Sequence, residues 1–303
     1  MSGNNTTTFT YGSELQGRGE PTATDILVGS FMFTVSFAAV VLGLLNLYLI
    51  RKMEIFHNAF GWFWASRTVA EIFSNFSHVV YSAPITIMQL TDVPMVFGMT
   101  VAMIGYICGV GGCVLHQIVS MNRCIAVALP FDYKRIFSPK NAKIIIFWSW
   151  IFVLFLTSFF FVVPCSMLGY SPKFYQYSFM ACSSEPERDH SIVSTVLNRA
   201  CLALCWITVS TDLITLYHII KFKRKTKFNS QNATFNRDVR FFKQTTIQNI
   251  TMIMATTMIV VANNNVQVGS TLVHLLGFST LHITHVNNAY SGPVETVKTI
   301  PYF

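Results

Sequence analysis

The chain has 303 residues, of which 52% are hydrophobic and only 11% charged. A water-soluble domain carries about 25% charged residues, so a soluble globule of this size is excluded. The net charge of +8 does not mark a nucleic-acid binder, because the basic residues gather between long apolar runs, where membrane topology already places them.

The first 25 residues are polar, rich in Thr, Ser and Gly, and lack the charged-then-apolar pattern of a cleavable signal. The first apolar run must then act as the insertion signal. A helix needs about 20 residues to cross the bilayer core, and the runs predict spans at 26–50, 60–80, 97–121, 144–163, 197–220 and around 250–262. Pro164 closes the fourth, because proline disfavours helix in the residue before it. A seventh run, about 269–286, is weak and holds His274, His282 and His285. The expected architecture is an all-α membrane protein, a seven-transmembrane helix bundle with an atypical seventh helix. It comprises an extracellular N-terminus (1–25), the bundle (26–286) and a short tail (287–303).

Charge orients the bundle. The loops after spans one, three and five hold fifteen of the 21 Lys and Arg residues, Arg123 among them, whereas the N-terminus holds only Arg18. The positive-inside rule makes the first set cytoplasmic and the N-terminus external. Asn4 and Asn5 are then usable glycosylation sites, while the sequons at Asn75, Asn232 and Asn249 fall in or beside spans or on the inner side. Most of the seven cysteines lie inside apolar runs; only Cys165 and Cys182 share a loop and form a disulfide candidate.

An ionisable group in the bilayer must face the bundle interior or water. In the second span Arg67, Glu71, Ser74, Asn75 and His78 follow one helix face, and Arg67 and Glu71, four apart, can pair. A structural polar seam and a coupling-ion or proton site are both open readings. Gly105 and Gly109 have the spacing that lets helices approach closely. Lower on the third span His116, Ser120 and Arg123 share a face, and Asn198, Cys201, Cys205, Thr208 and Asp212 form a stripe on the fifth. Asp212 is a candidate partner for a cation on another helix, or a buried structural carboxylate. Tyr106 and Asn198, near the outer ends, are ligand candidates, although packing is the commoner use of such side chains. No phosphate loop, G-x-S-x-G or H-E-x-x-H motif is present, and one H-x-x-H without nearby carboxylates is a poor metal site. Neither an enzyme nor a cofactor is expected. The chain also lacks the internal repeat from which many transporters are built.

The stretch "MNRCIAVALPFDYKRIFS" (121–138) resembles the end of the third helix and second inner loop of rhodopsin-like G-protein-coupled receptors. Arg123, Pro130, Phe131 and Tyr133 keep that pattern, while Asn122 stands where it has an acid and Cys124 where it has a tyrosine. A finer resemblance, to the nematode chemoreceptors of serpentine receptor class X, is carried by "FHNAFG", by this stretch, by the two loop cysteines and by "RFFKQTTIQN" entering the sixth span. Gly43 and Asn46 are similar to the Gly-x-x-Asn region of the first receptor helix.

The resemblance implies a plasma-membrane receptor, in sensory cilia of neurons, for an external small molecule or peptide, signalling through a heterotrimeric G protein. Arg123 would exchange partners between resting and active states, and Tyr133, Lys134 and Arg135 would face the G protein. The top of the third span has no cysteine, so the disulfide expected is a local one, Cys165 to Cys182. With neutral Asn122 in place of an acid, the adjacent residue cannot hold Arg123 by charge. The seventh span also lacks the Asn-Pro-x-x-Tyr ending. The alternative from another class is a small transporter or channel using Arg67, Glu71 and Asp212.

Overall fold

The computed structural model describes residues 11–180, 191–225, 246, 248–257 and 260–261. Four of its helices, α1 (Ala23–Lys52), α4 (Met95–Ala128), α6 (Pro139–Val162) and α7 (Ile192–Lys225), are long and apolar enough to cross a membrane. Helix α2 (Ala59–Ser77) continues through a π turn, His78–Ser82, into α3 (Ala83–Met88), and a short α5 (Pro130–Ile136) joins α4 to α6. Residues 248–257 are helical and lie against α4 and α7. The architecture is the all-α membrane bundle expected of a seven-helix receptor; the seventh predicted span lies outside the described residues.

Along α1 much of the inward face is small or polar, with Gly29, Ser36, Ala39, Gly43 and Asn46 buried beside Val28, Met32 and Ile50, while Leu27, Phe31, Phe37 and Leu44 are exposed. Without a hydrophobic drive between helices in lipid, small residues that permit close backbone approach form the contacts. A Cβ on Gly43 would come within 2.7 Å of Ile72 on α2. The outer flank, α6, buries only Ala142, Val153, Thr157 and Phe160 and turns Phe147, Trp148, Phe152 and Phe155 outward.

The helices outrun the apolar windows. The second span reaches Met88 because Pro84, which offers no N–H to the preceding turn, is accommodated by the π turn just before it. Helix α4 extends to Ala128, so Arg123 lies on a helix and not in the following loop. "FHNAFG" gains a physical account. Phe56 packs in the inner core, the Asn58 side chain accepts from the Gly61 N–H at 3.0 Å to cap α2, and any Cβ on Gly61 would overlap the Phe56 carbonyl.

The end of the bundle that meets the N-terminal segment is folded more tightly than a polar tail predicts. Between α6 and α7 an antiparallel hairpin, β1 (Leu168–Ser171) and β2 (Gln176–Phe179), lies against α4. Tyr170 on it meets the Thr86 hydroxyl at 2.7 Å. Residues 11–21 run back across this end. Leu15 is fully buried against Gly98 and Gly169, and the Gly17 and Gly19 amides donate to the Leu90 and Gln89 carbonyls at 2.6 and 2.9 Å. A Cβ on Gly17 would overlap the Gln89 backbone, so the close approach requires glycine.

Asp25 ties these pieces together. Its buried carboxylate accepts from the Thr22 amide and hydroxyl, both at 2.7 Å, from Gln89 Nε2 at 2.9 Å, from Tyr175 Oη at 2.5 Å and from Arg18. Burial and then the Asp25 contact raise the Tyr175 pKa above that of a free phenol. Burial opposes the charge on Arg18, but Tyr175 and Asp25 outweigh it and leave the guanidinium pKa raised.

Candidate functional site

Near the inner end of the bundle three helices converge on one carboxylate. The stripe on α7 places Asp212 opposite the His116, Ser120 and Arg123 face of α4. Asp212 Oδ1 accepts from Ser120 Oγ at 2.6 Å and from Arg123 Nη2 at 3.1 Å, while Oδ2 accepts from Asn249 Nδ2 at 2.7 Å. Asn249 Oδ1 in turn lies 2.8 Å from His116 Nε2. Because the amide already donates to Asp212, its oxygen is the acceptor and the imidazole donates through Nε2. One turn farther out, Thr208 donates to Gln117 at 2.5 Å.

This arrangement revises the expectation at Arg123. Asn122 does not hold the guanidinium; it is buried and pairs with the Tyr133 hydroxyl at 3.3 to 3.4 Å. The acid absent from the adjacent position is supplied across the α4–α7 interface by Asp212. A pair this secluded, with side-chain exposures of 14% and 6%, draws its strength from geometry and from the hydrogen bonds around it.

Just beyond lies the second inner loop. Tyr133 on α5 stacks on Phe137, which meets Phe63 edge-on at 5.7 Å and so docks the loop on α2. Pro130, Lys134 and Arg135 are exposed, and Phe131 is 98% exposed. That leaves an exposed apolar side chain on the same short helix as two exposed cations and Asp132, at the end of the bundle where Arg123 is held.

The other polar positions fall into separate groups. Arg67 and Glu71 pair at 3.0 Å, Arg67 lies over the Trp64 ring at 5.6 Å, and Asn75 donates to the Glu71 carbonyl at 2.7 Å. Asn46 is buried on α1. Gly105 makes the close approach its spacing predicts, to Ser77 and Tyr177, whereas a Cβ on Gly109 would meet nothing within 4 Å among the described residues. Toward the outer end the two ligand candidates bond to each other, Tyr106 Oη to Asn198 Oδ1 at 3.1 Å, beside Phe160. Cys165 is disulfide-bonded, and Cys108, Cys113, Cys124, Cys201 and Cys205 are free thiols. Cys182, Asn4, Asn5 and the three histidines of the seventh run lie outside the described residues. Among the described residues no cluster of His, Cys, Asp and Glu is placed to hold a metal.

Asn249 enters the sequence analysis only as a sequon in or beside a span; its place in "RFFKQTTIQN", at the entry to the sixth predicted span, was the available signal. Asp25, Gln89 and Tyr175 carried no such signal. No curated protein matches the chain. A family model described as serpentine type 7TM GPCR chemoreceptor Srx matches residues 33–287, a range that takes in α2, α4, α5, α7 and the whole Asp212 network. The chain belongs to the Srx family of serpentine seven-transmembrane chemoreceptors.

Proposed function

We propose that the protein is a nematode chemosensory receptor of rhodopsin-like type that binds an external small molecule or peptide and signals through a heterotrimeric G protein. Arg123 is its switch and Asp212 its resting latch. The observation that carries the reading is the convergence of Arg123 and Ser120 from α4 and of Asn249 from the helix of residues 248–257 on the Asp212 carboxylate of α7. Released from Asp212, the guanidinium would lie close to the exposed Phe131, Lys134 and Arg135, a surface of mixed apolar and basic character suited to a cytoplasmic protein partner.

Ligand binding reaches the latch through two rigid helices. Tyr106 and Asn198 bridge the same pair, α4 and α7, that Arg123 and Asp212 bridge. Tyr106 and Arg123 are 17 residues apart, about 25 Å along the helix at 1.5 Å per residue. A ligand that replaces the Tyr106–Asn198 contact changes how α4 sits on α7, and the inner pair is sensitive to that change. It shifts the equilibrium only by the difference in its affinity for the two arrangements.

The N-terminus is external and the protein resides in the plasma membrane of sensory cilia, with glycans on Asn4 and Asn5. Cys165 is bonded to Cys182, supported by the free state of the other five cysteines, and mass spectrometry of the unreduced protein would detect the linked peptides. Membership of a chemoreceptor family gives the receptor reading its advantage over a transporter. In cells coexpressing a G protein and exposed to a panel of external chemicals, Arg123→Ala is expected to abolish the evoked calcium or cyclic-nucleotide response with surface expression retained. An unchanged response overturns the role of Arg123.

A further inference from the structure

We propose that the interior of the bundle holds a small monovalent anion at Arg67, between α2 and the Gly112 face of α4. Arg67 is 2% exposed, and its one hydrogen bond, from Nε to Glu71, leaves Nη1 and Nη2 buried without an acceptor. Burying guanidinium N–H groups unbonded is costly, more so than for neutral donors. Among the described residues the Trp64 ring lies over the guanidinium at 5.6 Å, but no side chain accepts from either Nη group. A methyl group added at Gly109 or Gly112 would meet no atom within 4 Å among the described residues. At the next level outward the same two helices touch, with Gly105 against Ser77.

The surroundings favour an anion over a cation or a neutral ligand. Arg67 acts electrostatically on Cys113, His116 and Arg123, so a second guanidinium lies within its electrostatic reach on α4. Of the two carboxylates here, Asp212 is committed to Arg123, Ser120 and Asn249, and Glu71 reaches Arg67 only at Nε. The two Nη groups form the planar fork that takes a chloride or a formate-sized oxyanion in bidentate fashion. Because α4 also carries Arg123, occupancy of this site adds stability to the α2–α4 interface from which the latch is suspended.

The test needs neither an agonist nor a G protein, so its failure would leave the receptor reading standing. The full-length protein in lipid nanodiscs is unfolded thermally, with tryptophan fluorescence as the signal, while gluconate is replaced by chloride or by formate at constant ionic strength. The expected result is a saturable rise in the midpoint of about 2 to 4 °C. The rise is expected to vanish in Arg67→Gln and in Gly112→Val, which fills the open face without removing a charge and decides the matter if Arg67→Gln does not fold. A wild-type midpoint indifferent to both anions overturns the proposal, as does an undiminished rise in Gly112→Val, which would place the ion elsewhere.

Discussion

Each end of this bundle is organised around one buried carboxylate, Asp25 beside the N-terminal segment and hairpin and Asp212 toward the opposite end, and the two are built differently. Asp25 collects five donors from the N-terminal segment, the cap of α1, the end of α3 and the hairpin turn. Among the described residues its charged partner is Arg18, 41% exposed at the surface. Asp212 collects three donors from helices alone, and its cation is mostly secluded with it. Many neutral donors around a carboxylate make a clasp, since losing any one leaves the rest in place. A carboxylate that serves as counter-charge to a buried arginine across a helix interface, as Asp212 does for Arg123 among the described residues, makes a latch, because the arginine leaves it only for another partner.

The largest effect should come from breaking the clasp. Asp25→Ala leaves Gln89, Tyr175 and the Thr22 amide without their acceptor, and removing one partner from a buried charged site costs about 3 to 5 kcal/mol. A marked fall in surface expression and in the thermal midpoint is expected, with no rise in ligand-independent signalling. Constitutive signalling from Asp25→Ala would mean that the outer carboxylate is also part of the switch, and the distinction would collapse.

The reverse pattern is expected inside. Asp212→Asn keeps a side chain that still meets Ser120 and Asn249 but withdraws the counter-charge from Arg123. Hydrogen bonds to charged groups are worth about 1.5 to 3 kcal/mol, so a shift of the resting equilibrium by roughly tenfold or more is expected, since about 1.4 kcal/mol corresponds to tenfold. The measurement is ligand-independent nucleotide exchange on a coexpressed G protein at matched receptor density. A basal rate equal to wild type would reduce the Arg123–Asp212 pair to a structural contact.

The two ends also differ in how far they could be read from sequence. The inner site was legible because its residues sit on helices, where spacing fixes direction. His116, Ser120 and Arg123 share a face by their 4 and 3 steps, Asn198 through Asp212 likewise, and Arg67 and Glu71 pair as their spacing requires. What could not be read there was which helix would supply the acid missing beside Arg123. The end of α4 was misplaced because the charge of Arg123 marks where an apolar run meets polar surroundings, whereas the helix continues to Ala128. The outer clasp was illegible for a different reason. Its contacts join residues 64 to 150 positions apart through turns such as Tyr175, at φ 55°, and no periodicity connects Asp25 to Gln89 or to the hairpin.

Between the two ends lies the contact from which a ligand would act, and it offers the smallest and most discriminating change. Tyr106→Phe removes only the hydroxyl that meets Asn198 and keeps the ring against Phe160. A neutral hydrogen bond contributes about 0.5 to 1.5 kcal/mol, so folding and surface expression should be almost unchanged. If the outer α4–α7 contact is coupled to the inner one, basal nucleotide exchange in Tyr106→Phe should rise by a few-fold, and the rise should vanish in Tyr106→Phe combined with Asp212→Asn. Strict additivity of the two changes would mean that the contacts do not communicate, because independent sites add and only coupled ones deviate. The double variant thus asks whether α4 and α7 move as the rigid levers that their length and packing suggest.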